Sequence, residues 1–166
     1  MTTGLTLAGL TAAAVVLLLN LRPWWAGSRD VKQLAAFGKG SALGLVSSVC
    51  PGGILGWAHA HSAGAANVGG GRLTAAATGV QTAAPVAHRS LTGLTQPGAC
   101  VVVLVALVVV LAWLAAGKKD RRRILGGAFV TSVLCLAAGV VGALTWVPGL
   151  LNTIGASVAH SVGAAL

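Results

Sequence analysis

The sequence predicts an all-α, multi-pass membrane protein with four transmembrane helices, a basic cytoplasmic hairpin turn and a short C-terminal interfacial helix. Three observations carry this. Of the 166 residues 56% are apolar and only 8% charged, with a mean hydropathy of +0.89, whereas soluble domains carry about 25% charged residues. Residues 98–117 and 124–147 are apolar runs, each long enough to cross a hydrocarbon core, which takes about 20 helical residues. Between them Lys118, Lys119, Arg121, Arg122 and Arg123 crowd a short turn beside Asp120, and short loops rich in Lys and Arg stay on the cytoplasmic side.

The first helix is expected over residues 4–21. Arg22, Pro23, Trp24 and Trp25 follow it; the proline is expected to end the helix and the indoles to lie at headgroup level. No cation precedes the run, so it lacks the charged start of a secretory signal peptide and is expected to stay as a membrane helix. Ser28 is a candidate N-cap with Asp30 in the first turn behind it, opening a helix from about Val31 towards Gly64. Its second half, 41–58, is rich in Gly and Ser and holds Pro51. Topological parity makes it a crossing. If it spans, Arg22, Arg29, Lys32, Lys39 and the five cations of the turn share the inner side, against Arg72 and Arg89 outside. If it does not, the cations split almost evenly, against the inside-positive bias. Both termini are then expected outside a plasma membrane, and Trp24, Trp25, Trp57, Trp113 and Trp146 all fall near expected interfaces.

Residues 60–97 read as a flexible outer loop of small residues, including Gly69, Gly70 and Gly71, with at most a short helix around 73–84. After Pro148 and Gly149 the tail, 150–166, sets Leu151, Ile154, Val158, Val162 and Ala165 at steps of three or four. This is the pattern of an amphipathic surface helix too short to span. The domain organisation is thus an N-terminal pair of membrane helices over 1–59, the outer loop over 60–97, and a helical hairpin with its tail over 98–166. No repeat of 20 to 50 residues is evident.

The most specific pattern is a ladder of small residues: Gly40, Gly44, Ser48, Gly52, Gly56, Ala60 and Gly64. Residues four apart share one helix face, so the ladder makes a flat surface for close helix packing. Its partner is either a second copy of the chain or the fourth helix, which has a lesser ladder of Gly127, Thr131, Cys135, Gly139 and Ala143. Pro51 with Gly52 and Gly53 is expected to bend the second helix. His59 and His61 lie two apart, on opposite sides of a helix, with no carboxylate nearby, and Cys50, Cys100 and Cys135 form no CxxC pair. No metal or other cofactor is expected.

The shortage of acids excludes more than any motif includes. Asp30 and Asp120 are the two carboxylates, so paired-carboxylate catalysis, a Ser-His-Asp triad and a Mg²⁺-phosphate site all lack their components. No expected span carries an ionisable group at its centre, which disfavours coupled transport. The protein is expected not to be an enzyme. Lys118, Lys119, Arg121, Arg122 and Arg123 are the candidate contacts for anionic lipid or phosphate, and Gly40, Gly44, Gly52 and Gly56 the candidate face for self-association.

Two apolar helices joined by a tight basic turn resemble the pilins of conjugative type IV secretion systems. Residues 98–166 are similar to such a hairpin, with Lys118 to Arg123 matching the loop that in those pilins faces the filament lumen. The Ala/Gly/Val/Arg-rich composition and residues 21–64 resemble small membrane proteins of actinobacterial conjugative elements, including the spread proteins. What the resemblance implies is a non-enzymatic, self-associating pore or scaffold component in DNA transfer, with membrane lipid, further copies of the chain and transfer-machinery subunits as partners. A pilin-like filament subunit, a holin-like lysis protein and an accessory subunit of a larger complex are the other expectations.

Overall fold

A computed structural model describes residues 5–27, 31–80, 84–86, 91 and 93–164, without the side chains of Lys32 and Gln33. The expected cap Ser28 with Asp30, and Arg29, His88 and Arg89, lie outside the described residues. The described chain is helical apart from its connections and one isolated bridge between Thr6 and Pro85. Its helices are α1 (Leu7–Ala26), α2 (Lys32–Ser48), α3 (Gly53–Thr78), α4 (Gln96–Ala115), α5 (Lys118–Leu134), α6 (Ala138–Ala143) and α7 (Val147–Gly163).

Two helices, α1 and α4, are long and apolar enough to cross a membrane, and the α2–α3 pair, bent by 103°, makes a third if it counts as one span. The fourth expected crossing is not a single helix. Past its cations α5 has only residues 124–134, about 16 Å of helix at 1.5 Å per residue. The chain then breaks after Leu134, turns through short Leu136-to-Val133 and Ala137-to-Leu134 hydrogen bonds, and restarts as α6 and again as α7.

Other boundaries also differ from expectation. Pro23 lies inside α1. So close to the helix end it forfeits one donor, to the Leu19 carbonyl, without undoing the turns already formed before it. The helix expected to run on from Val31 breaks at Cys50, because Pro51 lacks an N–H and drives its predecessor out of helical geometry. Gly52 is extended, and Gly53 has a φ of 71°, a left-handed conformation that favours glycine. Residues 60–78, expected to lie in an outer loop with at most a short helix around 73–84, instead continue α3 without a break to Thr78. Glycines 69–71 weaken that helix by about 1 kcal/mol each relative to alanine, and packing on α1 compensates. α3 ends where Gly79, at φ 72°, donates to the Ala75 carbonyl.

The expected hairpin 98–147 is not a packed pair either. α4 lies on α7, and α5 lies on α2. The tail is part of this core: Val147, Pro148, Leu151 and Gly155 of α7 face inward, while Ile154, Val158 and Val162 are exposed.

The packing forms two apolar clusters. In one, Leu5, just ahead of α1, with Ala13 of α1 and Ala66 of α3, closes around Val133 from the end of α5. In the other, Val102, Val141, Val147 and Leu151 of α4, α6 and α7 close around Val46 and Val49 from the end of α2. Each cluster is fastened by an asparagine. Asn67 Oδ1 accepts from the Thr6 backbone N–H at 2.9 Å and the Thr6 hydroxyl at 2.8 Å, where Thr6 is the N-cap of α1. Asn152 Oδ1 accepts from the Thr95 backbone N–H and hydroxyl, each at 2.9 Å, where Thr95 caps α4.

Because the first lock is partly buried and the second exposed, water replaces the lost acceptor only at the second. Asn67→Ala is expected to lower stability by about 1–3 kcal/mol and Asn152→Ala by less. Thermal unfolding of the two purified full-length variants in detergent measures this, and an equal or reversed order contradicts the assignment.

Candidate functional site

Most of the exposed cations among the described residues, Arg72 on α3 excepted, gather at one end, and the packing of α2 on α5 decides where that end is. A Cβ on Gly40 would overlap the Ile124 carbonyl, one on Gly44 would meet the Ala128 carbonyl, and one on Gly127 would overlap the Phe37 carbonyl. From Gly40 to Gly44 the facing stretch moves from Ile124–Ala128 to Ala128–Ser132, and Ser47 then reaches Ser132, oxygen to oxygen, at 3.4 Å. The two helices therefore run in the same direction. Their N-termini, and the C-termini of α1 and α4 that feed them, share one end. Asn20 of α1, packed against Gly126, fixes α1 to the same frame.

At that end Arg22, Lys39, Lys118, Lys119 and Arg122 are exposed, with Asp120 also exposed among them. The cations expected in a loop are the first turns of α5. Placing them at a helix N-terminus is unfavourable against the helix dipole, and Asp120 in the first turn offsets part of this. Arg121 turns the other way. Its Nε donates to the Trp113 and Ala116 carbonyls at 3.0 and 2.9 Å, one of its terminal NH2 groups donates to the Leu114 carbonyl at 2.6 Å, and its guanidinium lies 5.2 Å from the centre of the Trp113 ring. It caps the open carbonyls of α4, a cation at a helix C-terminus, and is not an outward phosphate contact. Arg123 is half-buried. Beside this end an open apolar groove runs along α1, lined by Val15, Leu18, Leu19, Arg22, Trp25 and Ala26.

The small-residue ladder does not act as one face. Gly40 and Gly44 are covered by α5 within the chain. Ser48 is buried and donates to the Leu45 carbonyl at 2.6 Å. The break then turns the rest away: Gly52 faces open space, Gly56 approaches the Cys50 carbonyl of the turn, Ala60 is exposed and Gly64 half-buried on α3. In the lesser ladder, Gly127 and Thr131 meet α2, whereas Gly139 lies open on α6. The contact face proposed for a second copy is thus largely used inside the chain.

His59 is buried and its Nδ1 has no partner among the described residues. His61 is exposed, with its Nδ1 3.0 Å from the Trp57 carbonyl and its ring 4.1 Å from the Trp57 ring. Among the described residues no three His, Cys, Asp or Glu side chains group to hold a metal. The three cysteines are free thiols. Sequence reasoning missed Asn67, Asn152, Thr6 and Thr95. The available signal was the pattern Thr-Gly-Leu-Thr-x-x-Gly, which opens both α1, at residues 3–9, and α4, at 92–98. No family model, curated protein or solved structure matches this chain.

Close backbone approach sets the expected outcomes. Gly40→Leu or Gly127→Leu is expected to cost about 3 kcal/mol or more, by forcing a side chain into backbone. Gly52→Leu, extended and in open space, is expected to be tolerated. Size-exclusion profiles of the detergent-extracted variants check this: loss of the monodisperse peak for the first two only is the predicted pattern.

Proposed function

We propose that this is a non-enzymatic, multi-pass plasma-membrane protein that self-associates and serves as a pore or scaffold component in the transfer of DNA across the membrane. The observation that carries the reading is the pairing of bare apolar helix surfaces with a single basic end. On α4, Val103, Leu107 and Val108 are 62%, 52% and 64% exposed, and on α1 Leu18 and Leu19 are 54% and 60% exposed. Contiguous apolar surface of this kind suits hydrocarbon and not water. The inside-positive bias then directs the basic end to the cytoplasm and both termini outside.

Among the described residues, five exposed cations against one exposed acid, Asp120, favour a polyanion at that end. Self-association draws on open small residues, including Gly38, Gly69, Gly71, Gly139 and Gly142, where a second copy can approach closely. The transfer role follows the resemblance of residues 21–64 to small membrane proteins of conjugative elements. The scarcity of carboxylates supports a non-catalytic role.

The test uses full-length protein in nanodiscs of zwitterionic lipid, titrated with fluorescent duplex DNA. About five phosphate contacts imply an affinity that falls roughly 10²- to 10³-fold between about 50 and 200 mM salt. Changing Lys118, Lys119 and Arg122 together to Gln is expected to flatten the salt slope by about three. Absence of binding at low salt overturns the DNA role, and failure to cross-link into oligomers in native membranes overturns self-association.

A further inference from the structure

The same arrangement occurs twice along the chain. α1 and α2 have 20 and 17 residues, and α4 and α5 repeat those lengths. α3, of 26 residues, is matched by α6 and α7 taken together. Each half opens with Leu-Thr-x-x-Gly, as Leu5, Thr6 and Gly9, then as Leu94, Thr95 and Gly98. In each half the threonine gives its N–H and hydroxyl to an asparagine Oδ1, Asn67 or Asn152, on the last long helix. That asparagine fills the space a Cβ on Gly9 or Gly98 would need. One turn later Gly70 presses on the Ala8 carbonyl, and Gly155 on the Pro97 carbonyl. Trp24 and Trp113, near the ends of α1 and α4, both bury an indole N–H that has no partner among the described residues.

The contact between the halves is reciprocal. Gly40 lies on Ile124 and Ala128, and Gly127 lies on Phe37 and Ser41. Exchanging each residue for its counterpart returns the same contacts, the property of an isologous interface. The exchange reaches the cores as well. Val46 and Val49 of the first half sit with Leu94, Val102 and Leu151, and Val133 and Leu136 of the second sit with Leu5, Ala13 and Ala66. Each half is completed by the other's helix.

We propose that the chain is a fused pseudo-dimer: residues 5–80 and 93–164 are two copies of one membrane module, in the same orientation, about a two-fold axis along the α2–α5 seam. The seam is the surface on which one module recognises a second copy. Because α2 and α5 run in parallel, the axis stands along the helices, and the two basic segments face one leaflet together. An inverted repeat, with its axis in the membrane plane, would set them on opposite sides. The proposal rests on the membrane reading above, but not on DNA binding or on self-association of whole chains.

Gly27 and Gly117 occupy equivalent exposed connections at the basic end, and Thr78 and Val162 are exposed at the other end of each half. Single Gly27→Cys, Gly117→Cys, Thr78→Cys and Val162→Cys variants of the full chain, with the native cysteines changed to Ala, are treated with a membrane-impermeant maleimide in right-side-out and inverted vesicles. Gly27 and Gly117 are expected to react from one side, and Thr78 and Val162 from the other. Val31→Cys and Lys118→Cys, exposed at the starts of α2 and α5, give the same comparison where a glycine variant does not accumulate. Reaction of the two equivalent positions from opposite sides overturns the parallel module, while absence of DNA binding in the nanodisc assay leaves it standing.

Discussion

Everything in this fold depends on one contact: two helix backbones brought so close along α2 and α5 that side chains have no place between them. A Gly40 Cβ would stand where the Ile124 carbonyl already is, and a Gly127 Cβ where the Phe37 carbonyl is. In lipid, apolar side chains gain little by leaving the tails for each other, so association depends on van der Waals fit and on hydrogen bonds. Glycine permits that fit, and the Ser47–Ser132 pair adds a polar contact in the buried seam. The direction of this contact sets which ends of the molecule coincide. It also sends the end of each half-helix into the opposite core.

Breaking the helices is the complementary device. The turns at Cys50–Gly53 and after Leu134 stop α2 and α5 in the interior, and let the following helices fold back onto α1 and α4. Irregular backbone in such a place survives only where protein surrounds its polar groups. Here short-range bonds serve: Cys50 N–H to the Ser47 carbonyl, and Ala137 N–H to the Leu134 carbonyl. Asn67 and Asn152 serve the N-termini of α1 and α4 in the same way, and Arg121 serves the C-terminus of α4. What is left outward is an apolar belt and a basic end, the features from which a membrane scaffold acting on a polyanion is proposed.

Much of this was legible in the sequence, for physical reasons that differ by element. α1 and α4 are uniform apolar runs, and hydropathy alone finds them. Gly40, Gly44 and Gly127 lay on small-residue ladders, so a close-packed face was visible, although which helix would cover it was not. The continuation of α3 through the small residues 60–78 was hidden, because that helix is held by Asn67 and Gly70 against α1, contacts distant in sequence. The fate of Arg121 was hidden too: a cation in a basic cluster looks like its neighbours until the open carbonyls of α4 are seen beside it. The duplication left a mark in the two Thr-Gly-Leu-Thr-x-x-Gly segments, but its spacing exceeds the span over which helical repeats are usually sought, and the rest of each half has diverged under the same loose demand for small and apolar residues.

The parallel register of α2 and α5 inside one chain can be read out by pairwise cysteine cross-linking. In a background without native cysteines, Ser47→Cys with Ser132→Cys is oxidised in membranes, alongside Ser47→Cys with Ile124→Cys, on the same seam face of α5, as the control for an opposite register. The parallel register gives a rapid disulfide within single chains for the first pair and none for the second. A disulfide in the second pair, or links that form only between chains, would contradict it.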